Sequence, residues 1–148
     1  MAQTNNNQGY SILPILQKIP IFEKLNEAEH QDIIKKIELN FYPKDYTIFN
    51  EGDTADALYI IKKGLVQIYK GEGSAKNIFA ALGEGDFFGE MALMSDMPRS
   101  ASVETVEDSE IFILKKNIFF ELVANSPDMA FHLSDECLRR MKENENKI

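Results

Sequence analysis

Between Phe41 and Lys115 the chain is cut into short, β-prone runs by glycines and turn pairs. Tyr46–Phe49, Leu58–Ile61, Leu65–Tyr69, Asn77–Leu82, Ala101–Val106 and Glu110–Leu114 are rich in β-branched, aromatic or other apolar residues. Lys63-Gly64, the pair Gly71 and Gly73, and the cluster Gly83, Gly85 and Gly89 punctuate them. Runs this short do not make amphipathic helices of ordinary length. Repeated between turns, they predict a barrel, a sandwich or a roll.

Helical texture lies on either side of this region. Residues 10–40 read as helical, broken early by Pro14 and Pro20. Asn26 followed three residues later by Glu29 has the form of a capping box, and Ile33, Ile34 and Ile37 supply an apolar face. Residues 116–145 read as two further helices. The second opens at Ser126-Pro127-Asp128, with a capping serine, a first-position proline and an acid in the first turn. Ala130, Leu133, Cys137 and Met141 recur along it, and Arg139, Arg140 and Lys142 fall near its end. The expected organisation is a polar, disordered tail at 1–9 and one domain over 10–148, with its β-region at 41–115.

Composition narrows the function. A net charge of −8 on 148 residues repels a nucleic-acid backbone. No apolar run reaches the length of a membrane span, so no membrane partner is expected. The single cysteine suits a reducing, cytoplasmic setting. His30 and His132 lack the close spacing of metal ligands, and no nucleophile–base constellation is visible. Neither a metal nor a catalytic residue is expected, and the chain reads as a non-enzyme.

The stretch from Phe88 to Val103 carries the chemistry. It reads Phe-Gly-Glu-Met-Ala-Leu-Met-Ser-Asp-Met-Pro-Arg-Ser-Ala-Ser-Val. Glu90 can accept from a sugar hydroxyl, and Arg99 can fork onto phosphate oxygens. The amides of Met91 and Ala92 would fall in the first turn of a helix, where open donors favour an anion. Gly89 lets the backbone come close to a ligand.

This run resembles the phosphate-binding cassette of the cyclic nucleotide-binding domain. That family includes the regulatory subunits of cyclic-AMP-dependent protein kinase, the catabolite activator protein and cyclic-nucleotide-gated channels. The pattern is Phe-Gly-Glu-aliphatic-Ala-Leu, a spacer, Pro-Arg, two small residues, Ser or Thr, then Val, and it is matched here without insertion or deletion. Asn50-Glu51-Gly52-Asp53, Leu58-Tyr59-Ile60-Ile61, Gly64 and Leu82–Phe87 are also similar to the family's turns and strands. The resemblance spans roughly Ile12 to Met141.

It implies an α+β, mainly β fold. This is an eight-stranded antiparallel β-roll of the jelly-roll or double-stranded β-helix type, flanked by N-terminal helices and two C-terminal helices. It implies cyclic AMP or cyclic GMP as ligand and no cofactor. Glu90 would meet the ribose 2′-hydroxyl and Arg99 the phosphate. Phe88, Gly89, Met91, Ala92, Ser100, Ala101 and Ser102 would complete the site. Ile68, Ala80 and Leu82 would form an apolar wall for the base, with Arg140 closing over it from the last helix. Plainer readings stand beside these: a first-turn acid for Glu90, β-core for the wall, and a solvated face for Arg139 and Arg140.

Ser100 does not discriminate the base. Cyclic AMP is placed ahead of cyclic GMP because free-standing members of the family commonly use it. Ligand binding would shift the C-terminal helices, read by an effector protein or by self-association. Taken as complete, the chain leaves no room for a DNA-binding domain. The alternative is a nucleotide-independent interaction or dimerisation domain of the same fold, which predicts loss of the Glu or the Arg.

Overall fold

A computed structural model describes residues 12–133. The chain divides into two compact units, Glu38–Lys116 and the segments on either side of it. The first holds eight strands: β1 (Glu38–Tyr42), β2 (Thr47–Phe49), β3 (Ala57–Lys63), β4 (Leu65–Lys70), β5 (Asn77–Gly83), β6 (Phe87–Phe88), β7 (Ser102–Thr105) and β8 (Ser109–Lys115). They form two four-stranded sheets, β1-β8-β3-β6 and β2-β7-β4-β5, and every pairing is antiparallel. This is the eight-stranded β-roll expected from the resemblance.

Period-two alternation fills the core. Ala57, Tyr59 and Ile61 of β3 meet Ile111 and Ile113 of β8, Val66 of β4, Phe88 of β6 and Val103 of β7, with Tyr42, Ile48, Phe49, Ile68 and Leu82 packed against them. Fully burying each large apolar side chain contributes about 1.5–3 kcal/mol. The even positions Leu58, Ile60, Phe112 and Leu114 are buried as well, so β3 and β8 read as continuous apolar runs.

Two strands escape the local pattern. The helical reading of residues 10–40 is corrected at its end, where Glu38, Leu39 and Asn40 belong to β1. The isoleucine spacing of the preceding helix runs up to Ile37, and nothing local breaks it. What makes the next residues a strand is their ladder with β8, where Glu38 lies opposite Ile113 and Tyr42 opposite Ser109. The two residues of β6 are too few to show a period.

In the other unit, residues 12–16 are helical, Pro20–Phe22 form a 3-10 turn, and α1 spans Glu27–Ile34. The capping box is present. Asn26 Oδ1 accepts from the Glu29 amide at 2.8 Å, and Glu29 Oε1 accepts from the Asn26 amide at 2.9 Å. α2 spans Lys116–Ala124, and residues 127–133 are helical again. Ser126 Oγ caps that last segment by accepting from the Met129 amide at 3.2 Å. The rings of Phe22 and Phe119 meet at 5.7 Å. His30 Nε2 donates to the Phe22 carbonyl, and His132 Nδ1 lies 3.2 Å from Glu29 Oε1. The tail at 1–9, Cys137, Arg139, Arg140 and the end of the last helix lie outside the described residues.

Candidate functional site

Arg99 is the centre of the site. It is 7% exposed, unusual for an arginine, and its surroundings explain how a cation is held there. Its backbone is clasped by the turn before β3. The Gly52 amide donates to the Arg99 carbonyl and the Arg99 amide to the Asp53 carbonyl, both at 2.8 Å. Its Nη2 donates to the Ala57 carbonyl at 2.9 Å and lies 3.6 Å from Asp56 Oδ1. Its guanidinium carbon sits 4.0 Å above the centre of the Phe49 ring and 5.6 Å from that of Tyr59. Tyr59 in turn stacks on Phe88, with centroids 5.0 Å apart and planes within 6°.

Burial pushes the Arg99 guanidinium below its ordinary value, opposed by Tyr59 and Asp56. It stays a cation at any physiological pH. Burial likewise pushes the Tyr59 phenol up to about 12, so that neighbour is neutral. Arg99 Nε is buried and finds no hydrogen-bond partner among the described residues. An unmet donor on a buried cation costs about 1–3 kcal/mol, which an incoming acceptor relieves.

Gly89 explains how the cassette fits over this cation. It has φ +80° and precedes the 3-10 turn Glu90–Leu93. A Cβ here would lie 2.8 Å from Arg99 Nη1 and 3.1 Å from the Ala57 carbonyl oxygen. The close approach expected between Gly89 and a ligand is thus already made to the arginine. Glu90 and Met91 follow, half-buried, and Ala92 is buried. The turn is 3-10 rather than α, so the Ala92 amide donates to the Gly89 carbonyl at 3.1 Å. The expectation of an open donor at Ala92 is corrected on that account.

Beyond Arg99, Ser100 is exposed and Ala101 half-buried, while Ser102 is buried. Ser102 Oγ accepts from the Glu51 amide at 2.8 Å, which locks the cassette to the glycine turn. Phe88 lies in β6, opposite Tyr59. The proposed base wall is contiguous with this centre. Phe49 of β2 lies opposite Val103 of β7, Val103 opposite Ile68 of β4, and Ile68 opposite Ala80 of β5. Directly opposed residues share a face, so one cross-strand row runs from beneath the guanidinium to Ala80. Three strand spacings make it about 14 Å long. Leu82 pairs with Val66, one step along the same face. Arg140 lies outside the described residues.

Sequence reasoning missed Phe49, Asp56 and Ala57 as supports of Arg99, and noted Tyr59 only as part of a strand. They sit on two different strands and a turn, so no local spacing links them to Pro98-Arg99. Among the described residues no three His, Cys, Asp or Glu side chains could together hold a metal ion, and no helix is long and apolar enough to cross a membrane.

The loop between Glu90 and Arg99 has its own anchor. Lys116 Nζ donates to Asp96 Oδ1 at 2.7 Å and to the Ser95 carbonyl at 2.9 Å. The hydrogen bond from Lys116 holds the Asp96 carboxyl below the usual carboxylate range. A depressed carboxylate keeps its tie above the ordinary value, about 3.9, and loses it as pH falls through the lower folded value. NMR titration of the Asp96 carboxyl carbon is expected to show a midpoint below the ordinary one, and Lys116→Met is expected to return it there. An unmoved midpoint in the variant would remove this anchor.

Comparison with known proteins agrees with the geometry. The sequence profile described as the cyclic nucleotide-binding domain matches residues 39–126, more than half of the chain. The cyclic AMP receptor protein of Thermus thermophilus is 33% identical over 125 residues, which cover 84% of this chain and 58% of that protein. The cGMP-dependent protein kinase of Plasmodium berghei is 32% identical over 150 residues, covering 97% of this chain and 16% of the kinase. Among solved structures, the regulatory domain of Toxoplasma gondii PKA crystallised with cAMP matches with a TM-score of 0.71 and 26% identity, over 78% of this chain and 44% of that one. This chain therefore spans less than two thirds of each of these relatives. The profile match and the shared roll together show that the chain belongs to the cyclic nucleotide-binding domain family.

Proposed function

We propose that the chain binds a cyclic nucleotide, cyclic AMP in preference to cyclic GMP, and works as a regulatory module rather than an enzyme. The observation that carries this is Arg99, a buried cation with an unmet donor, held in a glycine-lined seat at one end of an apolar row. Arg99 takes the charged phosphodiester and Glu90 accepts from the ribose 2′-hydroxyl. Phe88, Gly89, Met91, Ser100, Ala101 and Ser102 complete the sugar-phosphate cradle. Ile68, Ala80 and Leu82 receive the base, with Arg140 closing over it.

Two relatives support a cyclic nucleotide as ligand and differ on the base, since one is named for cyclic AMP and another for cyclic GMP. Binding is transmitted by movement of the C-terminal helices to an effector protein or a second copy. A ligand shifts such an equilibrium only by its differential affinity for the two arrangements.

Calorimetric titration with cyclic AMP and cyclic GMP tests the reading. The chain is expected to bind at micromolar levels or tighter, cyclic AMP more tightly. Arg99→Ala is expected to weaken binding ten- to hundredfold, the worth of a charge-assisted bond at about 1.5–3 kcal/mol. A folded chain that binds neither nucleotide would overturn the proposal in favour of a nucleotide-independent interaction domain.

A further inference from the structure

We infer that Phe49, backed by Tyr59, is a positioning residue for the Arg99 guanidinium and so for affinity toward the cyclic phosphate. The inference rests on the reading that Arg99 takes that phosphate. A guanidinium is a flat plate, and its direction must be fixed before a bidentate contact is possible. Three restraints act on this one. Nη2 is tied edge-on to the Ala57 carbonyl at 2.9 Å. One side is limited by Gly89, where even a methyl group would approach Nη1 to 2.8 Å. The Phe49 ring lies 4.0 Å from the guanidinium carbon, within cation–π range.

Phe49 is itself braced. Its ring meets Tyr59 at 5.7 Å and Phe88 at 6.0 Å. The stacked, nearly parallel Tyr59–Phe88 pair joins β3 to the strand that leads into the cassette. The restraint on Arg99 is therefore shared among three strands. An aromatic face is needed because it attracts the cation without using any of its N–H donors, which leaves Nε for a ligand. A carboxylate in the same place would compete with the phosphate. The exposed Asp56, at 3.6 Å from Nη2, does not replace the ring.

If Phe49 is only a core residue, an aliphatic side chain of similar volume serves as well. Phe49→Leu and Phe49→Tyr separate the two roles. By titration with cyclic AMP, Phe49→Leu is expected to lose on the order of tenfold in affinity, and Phe49→Tyr is expected to stay within about threefold of the parent. Wild-type affinity in Phe49→Leu, while the parent binds, would overturn this inference and leave the function reading intact. Absence of binding by the parent would overturn both.

A second measurement does not depend on how the variants fold. In the NMR spectrum of the parent chain, the Arg99 Nε–H is expected as a resolved, slowly exchanging signal displaced by ring current from the position of a free arginine. A signal at the free-arginine position would mean that no ring holds the guanidinium, and would also overturn the inference.

Discussion

Gly89→Ala is expected to weaken cyclic nucleotide binding by roughly a hundredfold. Two effects add. At φ +80° an alanine is strained by about 1–2 kcal/mol. Its methyl group would also fall 2.8 Å from Arg99 Nη1 and 3.1 Å from the Ala57 oxygen that accepts from the same guanidinium. The second contact is to backbone within a paired strand, so the arginine is the group that moves. Its displacement removes the charge-assisted bond at about 1.5–3 kcal/mol. Titration calorimetry beside circular dichroism checks this. The β signal should persist while affinity falls, and a fall of less than threefold would show that the arginine does not need this glycine.

The largest loss of stability is expected from Gly64→Ala. At φ +114° a Cβ would overlap Ser109 Oγ and come within 2.7 Å of Ser109 Cα. Ser109 cannot yield easily. It is fully buried, its Oγ donates to the Glu107 carbonyl at 2.8 Å, and that same oxygen accepts from the Leu65 amide. It also opens β8, which pairs with β1 on one side and β3 on the other. Strain and overpacking together predict a loss of about 2–4 kcal/mol, and a Tm lower by on the order of 10 °C. Gly52→Ala is the control. Its φ of +91° carries strain, but its Cβ would meet open space, so only about 1–2 kcal/mol is expected. Equal thermal shifts in the two variants would refute the steric account.

What could be read from the sequence was local. The Asn26–Glu29 capping box and the Ser126 cap appear in the structure as the spacing predicts, because a cap is decided within four residues. Runs such as Leu58–Ile61 declare themselves by β-branched content. β1 did not, since an isoleucine period carried the helical reading into residues that pairing with β8 turns into strand. β6 did not, being two residues long. In the site, the cassette run marked Glu90 and Arg99 at once, whereas the supports of Arg99 went unseen. Phe49, Ala57 and Arg99 meet only after β2, β3 and the cassette have been brought together by the sheets. Ser102 was singled out as a ligand contact, and its hydroxyl also accepts from the Glu51 amide, a partner that sequence distance concealed.

The pairing order carries a kinetic consequence. β4 and β5 are neighbours in sequence and form a hairpin, but Glu38 waits for Ile113 and Thr47 for Glu104. Closing such long loops costs entropy before any contact repays it, so folding is expected to start at the hairpin and finish with the outer strands. The seat of Arg99 draws on β2, β3 and the cassette, and is complete only once that late closure has occurred. A nucleotide held there would find no foothold in the folding transition state. Its stabilisation should therefore appear almost entirely as slower unfolding, with the folding rate left unchanged.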